Sequence, residues 1–232
     1  MTVKNFIFLI LCMTLSVVAM ADWKQYAYTI DSKTPYAGER EVELYTDYQA
    51  KGGTYRLRTL IELEYGILSQ LGVGVYGVLE QTEKSSYRYK FAKFEIKYRF
   101  GEQGSGVMDT ALYAEYYLEN DRANPDKIEL KAIVEKTWST LTWTGNLIYE
   151  QKLQAGVAGD TKFSTAVSML VMPSLIGSLE MKGDFTGTKP TLFIAPGLSY
   201  GLDDIKVNLA VGVGLNSNSQ DLYIRNIVSY EF

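Results

Sequence analysis

After residue 39 the sequence alternates. Twelve successive segments set apolar side chains on one face and polar or charged ones on the other, at approximately 40–50, 54–66, 70–82, 87–100, 108–119, 127–138, 140–153, 161–172, 174–184, 190–201, 205–216 and 221–232. A period of two marks a strand, because successive Cβ atoms point to opposite sides of a pleated sheet. In 127–138, Ile128, Leu130, Ala132 and Val134 oppose Glu129, Lys131, Ile133 and Glu135. In 54–66, Tyr55, Leu57, Ile61, Leu63 and Tyr65 oppose Arg56, Arg58, Glu62 and Glu64, and in 87–100, Phe94, Ile96, Tyr98 and Phe100 oppose Lys93, Glu95, Lys97 and Arg99. Each segment has about the 9 to 11 residues that a tilted membrane strand needs, or slightly more.

Half-buried strands of soluble sheets alternate in the same way, so number and closure carry the argument. Twelve strands with short connections, no helical periodicity between them and no protected free edge suit a meander that closes on itself. A soluble barrel of that girth would fill its interior with apolar side chains, yet half of the facing positions are charged or glycine. Turning the apolar faces to lipid removes the conflict, since a bilayer accepts only structures whose backbone groups are all paired. The expected fold is all-β: a single-chain transmembrane antiparallel up-and-down β-barrel of about 12 strands over residues 40–232. Aromatics near segment ends agree, among them Tyr48, Tyr65, Phe100, Trp138 and Tyr149, because amphipathic rings favour the headgroup level.

The last segment places Leu222, Ile224, Val228, Tyr230 and Phe232 on one face. A chain ending on an aromatic, with an aromatic two positions earlier, resembles the porin-like outer-membrane β-barrels of Gram-negative bacteria. That resemblance implies residence in the bacterial outer membrane among its lipids. It also makes Tyr230 and Phe232 the assembly signal read by the barrel insertion machinery. An even-stranded barrel of this family has both chain ends in the periplasm, so the connections near 51–53, 83–86, 120–126, 154–160, 185–189 and 217–220 are expected to be extracellular. All are short, which weakens a receptor or adhesin role.

The start of the chain gives an address. Lys4, an apolar run from Phe6 to Val18 and the small residues of Ala19-Met20-Ala21 read as a cleaved signal peptide over 1–21. The run is too short to span a bilayer as a helix, which takes roughly 20 residues. Residues 22–39, with Pro35 and Gly38, are expected to form a periplasmic lead-in or a segment at the barrel mouth. Cys12, the sole cysteine, lies inside the signal, so the mature chain is stabilised without disulfides.

The charged faces line the lumen in this reading: Arg56, Arg58, Glu62, Glu64, Glu80, Lys93, Glu95, Lys97, Arg99, Glu115, Glu129, Lys131, Glu135 and Glu150, with Glu41, Glu43, Asp47, Glu180, Lys182 and Arg225 beside them. Acids and bases interleave on neighbouring strands, which offsets the desolvation of each. Either this lining only fills the barrel with salt bridges, or it selects solutes by sign and size as charged rings do in channels. The wall is uneven, because Gly72, Gly74, Ser164, Ala166, Ser168, Ala210, Gly212 and Gly214 also face inward.

Composition excludes several classes. Beyond residue 21 there are 22 basic and 27 acidic residues, a net charge of −5, which disfavours nucleic-acid binding. The chain has no histidine, so Ser164, Ser168 and Ser199 lack the usual activating base and no catalytic residue is assigned. Glu62 and Glu64 are also what any acidic lining shows. No cofactor or metal is expected: Gly72-Val73-Gly74 is strand alternation without a following helix, and the acids of 121–126 read as a solvated turn. The expected function is a monomeric outer-membrane channel for passive diffusion of small hydrophilic solutes, the alternative being a closed structural or interaction barrel. The lining as a whole leans acidic, which argues against an anionic solute.

Overall fold

A computed structural model describes residues 24–187 and 189–232. The expected signal peptide lies outside the described residues. The chain forms strands β1 (Arg40–Lys51), β2 (Thr54–Leu68), β3 (Leu71–Thr82), β4 (Arg88–Phe100), β5 (Asp109–Glu119), β6 (Lys127–Trp138), β7 (Leu141–Lys152), β8 (Asp160–Met172), β9 (Leu175–Asp184), β10 (Leu192–Leu202), β11 (Ile205–Gly214) and β12 (Leu222–Glu231). Each pairs antiparallel with its sequence neighbours, and β1 pairs with β12 to close the barrel. The strands begin and end within two residues of the segments expected from alternation.

Closure removes the free edges and pairs the backbone all the way round, as a hydrocarbon environment demands. At one end, which holds Arg40 and Glu231, five connections join the strands: four of two residues, at 69–70, 139–140, 173–174 and 203–204, and the longer 101–108. The other end, here the loop end, carries 52–53, 83–87, 120–126, 153–159, 185–191 and 215–221. Gly52 and Gly53 have φ of 55° and 82°. That is the pair of left-handed residues which a two-residue hairpin turn needs in order to match strand twist.

Parity is fixed by the two solvents. Leu63, Ile96, Leu112, Leu130, Leu147, Leu198 and Leu209 point outward and are about half exposed, whereas Glu62, Glu135 and Glu180 on the inner face are almost fully buried. A one-residue slip of β4 would turn Lys93, Lys97 and Arg99 into lipid, at about 2 to 4 kcal/mol for each one near the midplane. The inner face is not only polar. Tyr45, Leu60, Tyr76, Val78, Phe91 and Ile227 pack together inside the barrel.

Candidate functional site

The lumen is crossed by the chain's own residues 24–36. From β1 the segment runs back past Gly66, whose backbone accepts a 2.8 Å hydrogen bond from the Gly38 N–H. It then lies against Gly72, where a Cβ would stand 2.9 Å from Pro35 Cδ. Only glycine at that position lets the strap pass so close to the wall. Thr34 Oγ1 donates to the Ser69 carbonyl at 2.9 Å, and Ser32 Oγ to Glu135 Oε1 at 3.1 Å. The residues expected to form a lead-in or mouth segment therefore continue, from residue 36 back to residue 24, along the inner wall.

Further along, the wall reads this strap through its main chain. Asn146 on β7 accepts the Ile30 N–H at 2.9 Å and donates to the Ile30 carbonyl at 2.8 Å. Glu180 on β9 accepts three successive N–H groups, from Ala27 at 2.7 Å, Tyr28 at 2.8 Å and Thr29 at 2.7 Å. The backbone bends over 27–29, so that its amides converge on one carboxylate in the manner of an anion nest. Arg225 donates to the Ala27 carbonyl at 2.9 Å, and Ser199 to the Lys24 carbonyl at 3.0 Å.

Side chains of the strap fill the space left by small wall residues. Tyr26 lies 3.1 Å from Ser168 Oγ, and Thr144 donates to its hydroxyl at 3.2 Å. Tyr28 packs edge-on to Phe193 at 5.0 Å, beside Ala195 and Ala210. The Lys24 ammonium ends among Glu43, Glu62 and Glu64, 3.6 Å from the last two and hydrogen-bonded to Glu43 and to Tyr45. Burial alone would lower its proton affinity, but the neighbouring carboxylates more than offset this and hold the ammonium well above its ordinary value.

All fourteen lumen positions read from the sequence lie on inward-facing strand positions, but in separate groups. Glu115 is the hub of one: it pairs with Lys93 and with Lys131 at 2.9 Å and accepts from Tyr117 at 2.9 Å and Tyr113 at 3.0 Å. Lys131 also meets Glu129 at 2.9 Å, and Tyr113 donates to Glu95. Nearer the loop end Glu150 joins Lys127 at 2.8 Å and Lys162 at 2.9 Å, Arg58 meets Glu80 at 2.6 Å, and Arg56 donates to Gln49. At the terminal end Lys97 lies 3.9 Å from Asp31, while Arg99 donates to the Ser69 and Gly101 carbonyls and so ties down two turns. Glu62, Glu64 and Glu135 face the strap. Asn146 escaped the sequence reading because nothing local marks it, and Tyr26 and Tyr28 were legible only as part of a stretch that could pack at the barrel mouth; their partners lie more than a hundred residues away.

The charge is segregated along the axis. Toward the loop end a cavity of about 770 Å³ is lined by nine basic and six acidic side chains. Deeper, between the strap and the wall that carries Glu64, Glu95 and Lys131, about 160 Å³ remains. In the loop at 120–126, Ala123 N–H donates to Asp121 at 3.0 Å, a local turn. Asp126 accepts from the Tyr116 hydroxyl and the Glu119 N–H, which hold its carboxyl below the usual range.

No family model and no curated protein match the sequence. Solved structures match the fold. A KdgM porin superposes with a TM-score of 0.62 at 12% identity, covering 83% of this chain and 99% of its own. A NanC porin gives 0.59 at 10%, covering 82% and 98%, and an outer-membrane channel from Pseudomonas putida F1 gives 0.59 at 11%, covering 87% and 98%. With its apolar exterior and paired charges inside, the chain has the fold of the porin-like twelve-stranded barrels of the bacterial outer membrane.

Proposed function

We propose that this protein is an outer-membrane channel through which small hydrophilic solutes diffuse passively, entering by a base-rich vestibule at the loop end. The observation that carries the reading is the cavity of about 770 Å³ with its excess of basic over acidic lining residues. The acids that make the whole lumen lean negative gather deeper, around Lys24 and Glu115, where they are already engaged. A focused positive potential at the entrance raises the local concentration of anions. A KdgM porin of the same fold has been solved in complex with disordered oligogalacturonate, and a carboxylated solute suits the chemistry of this vestibule.

The strap favours a second reading, a barrel closed at rest. Single-channel recording and reversal potentials across a salt gradient separate the two. A conducting, anion-preferring wild type whose preference falls in Arg56→Glu supports the channel. Absence of conductance, in the wild type and in strap variants alike, supports the closed barrel, and cation preference overturns the vestibule assignment.

A further inference from the structure

The strap is held chiefly through groups that every peptide has. Glu180 takes three consecutive amide N–H groups, Asn146 pairs with both polar atoms of Ile30, and Arg225 and Ser199 cap the carbonyls of Ala27 and Lys24. Asn146, Ser199 and Glu180 are buried on three different strands. Two rings and one cation add selectivity at alternate positions: Lys24 among carboxylates, Tyr26 against Ser168, and Tyr28 between Phe193 and the Arg225 guanidinium, which lies 4.8 Å from its ring centroid. A wall that merely tolerated a covering segment would present apolar or water-mediated contacts. This one presents side-chain acceptors and donors that converge on the strap's main chain.

We infer that Glu180, Asn146, Ser199 and Arg225 form a peptide-binding site inside the lumen, occupied in cis by residues 24–32 and open to a peptide in trans that carries a cation followed by aromatics at alternate positions. The tether keeps the cis segment at an effective concentration of about millimolar or more, so a free peptide competes only once the cis contacts are weakened. The site then doubles as a stop on the conduction path, with peptides as blockers or as slow cargo. This consequence rests on the channel reading; the binding itself does not.

The test vacates the site without touching the wall. In the full chain, Tyr28→Pro with Thr29→Pro deletes two of the three N–H groups given to Glu180. A fluorescent peptide copying residues 24–32 is titrated into the folded protein in detergent micelles and followed by anisotropy. The proline variant should bind it at least about tenfold more tightly than wild type, whose site is filled. The same peptide N-methylated at the positions of Ala27, Tyr28 and Thr29 should lose about tenfold or more, because charge-assisted hydrogen bonds are lost. Should the double variant not reach the heat-shifted folded form, Ile30→Pro, which removes the donor to Asn146 and the side chain packed on Ala111, Tyr113 and Ile133, takes its place. Equal binding of methylated and unmethylated peptides, or none by a folded vacated variant, overturns the site. If the anisotropy pattern holds while no variant conducts in planar bilayers, the site stands and the channel reading falls.

Discussion

Arg225 grips Asp47 with two parallel hydrogen bonds of 2.6 Å, Nε to Oδ1 and Nη2 to Oδ2, across the seam where β12 meets β1. The two residues sit directly opposite one another in the ladder. Their planar, bidentate match fixes which residues of the first and last strands meet when the barrel closes. Asp47→Ala leaves the part-buried guanidinium with the Ala27 carbonyl as its acceptor and should cost about 2 kcal/mol, between the scales for exposed and fully buried pairs. The double change Asp47→Ala with Arg225→Met should recover much of that loss. Urea-dependent refolding into lipid vesicles measures both, and equal loss in the single and double variants would deny the pair its role.

Phe232 caps the same seam. Its N–H donates to the Arg40 carbonyl at 3.0 Å, and its ring stacks on Tyr230 at 5.9 Å. Deleting Phe232 removes a backbone bond and an interface aromatic together. The expected result is a marked fall in heat-modifiable, membrane-inserted barrel, read on gels of membrane fractions. Undiminished folded protein would contradict an assembly role.

Lipid and lumen make opposite demands on the two faces of the barrel wall. Leu130 on β6 is 49% exposed on the outer face, so Leu130→Arg should cost about 2 to 4 kcal/mol if it lies near the midplane. Lys162, facing the lumen, shares Glu150 with Lys127, so Lys162→Ala should cost under about 1 kcal/mol. Refolding titrations that found the two equal would mean that the faces are wrongly assigned.

The Lys24 latch has a predictable pH response. Its ammonium is held above the ordinary value of 10.5, so the latch is fully present below that pH and is lost only as pH rises through the still higher value in the folded protein. Conductance should therefore stay constant from about pH 7 to about pH 10. Lys24→Met, which leaves Glu43, Glu62 and Glu64 without their cation, should raise it at every pH. Opening of the wild type between about pH 7 and about pH 9 would show that another group holds the strap.

Strand number, order and parity were legible in the residues themselves. Alternation is a local property, while the count and closure of all twelve segments put a bilayer outside, which leaves one parity acceptable and turns Lys93, Glu95, Lys97 and Arg99 of β4 inward. Grouping was not legible in this way: which acid meets which base depends on barrel register, as when Glu115 gathers Lys93 from β4 and Lys131 from β6. Residues 24–36 have no period to read, and their partners Asn146 and Glu180 look like any other inward polar positions. Only closure of the sheet placed the small-residue wall of Ser168, Ala195 and Ala210 opposite Tyr26 and Tyr28, and gave Glu180 three amides to hold. The sequence by itself determined a twelve-stranded wall because that pattern is written every second residue. The tertiary structure decided what occupies its interior, because buried carboxylates and main-chain amides find one another by position in space, not by spacing along the chain.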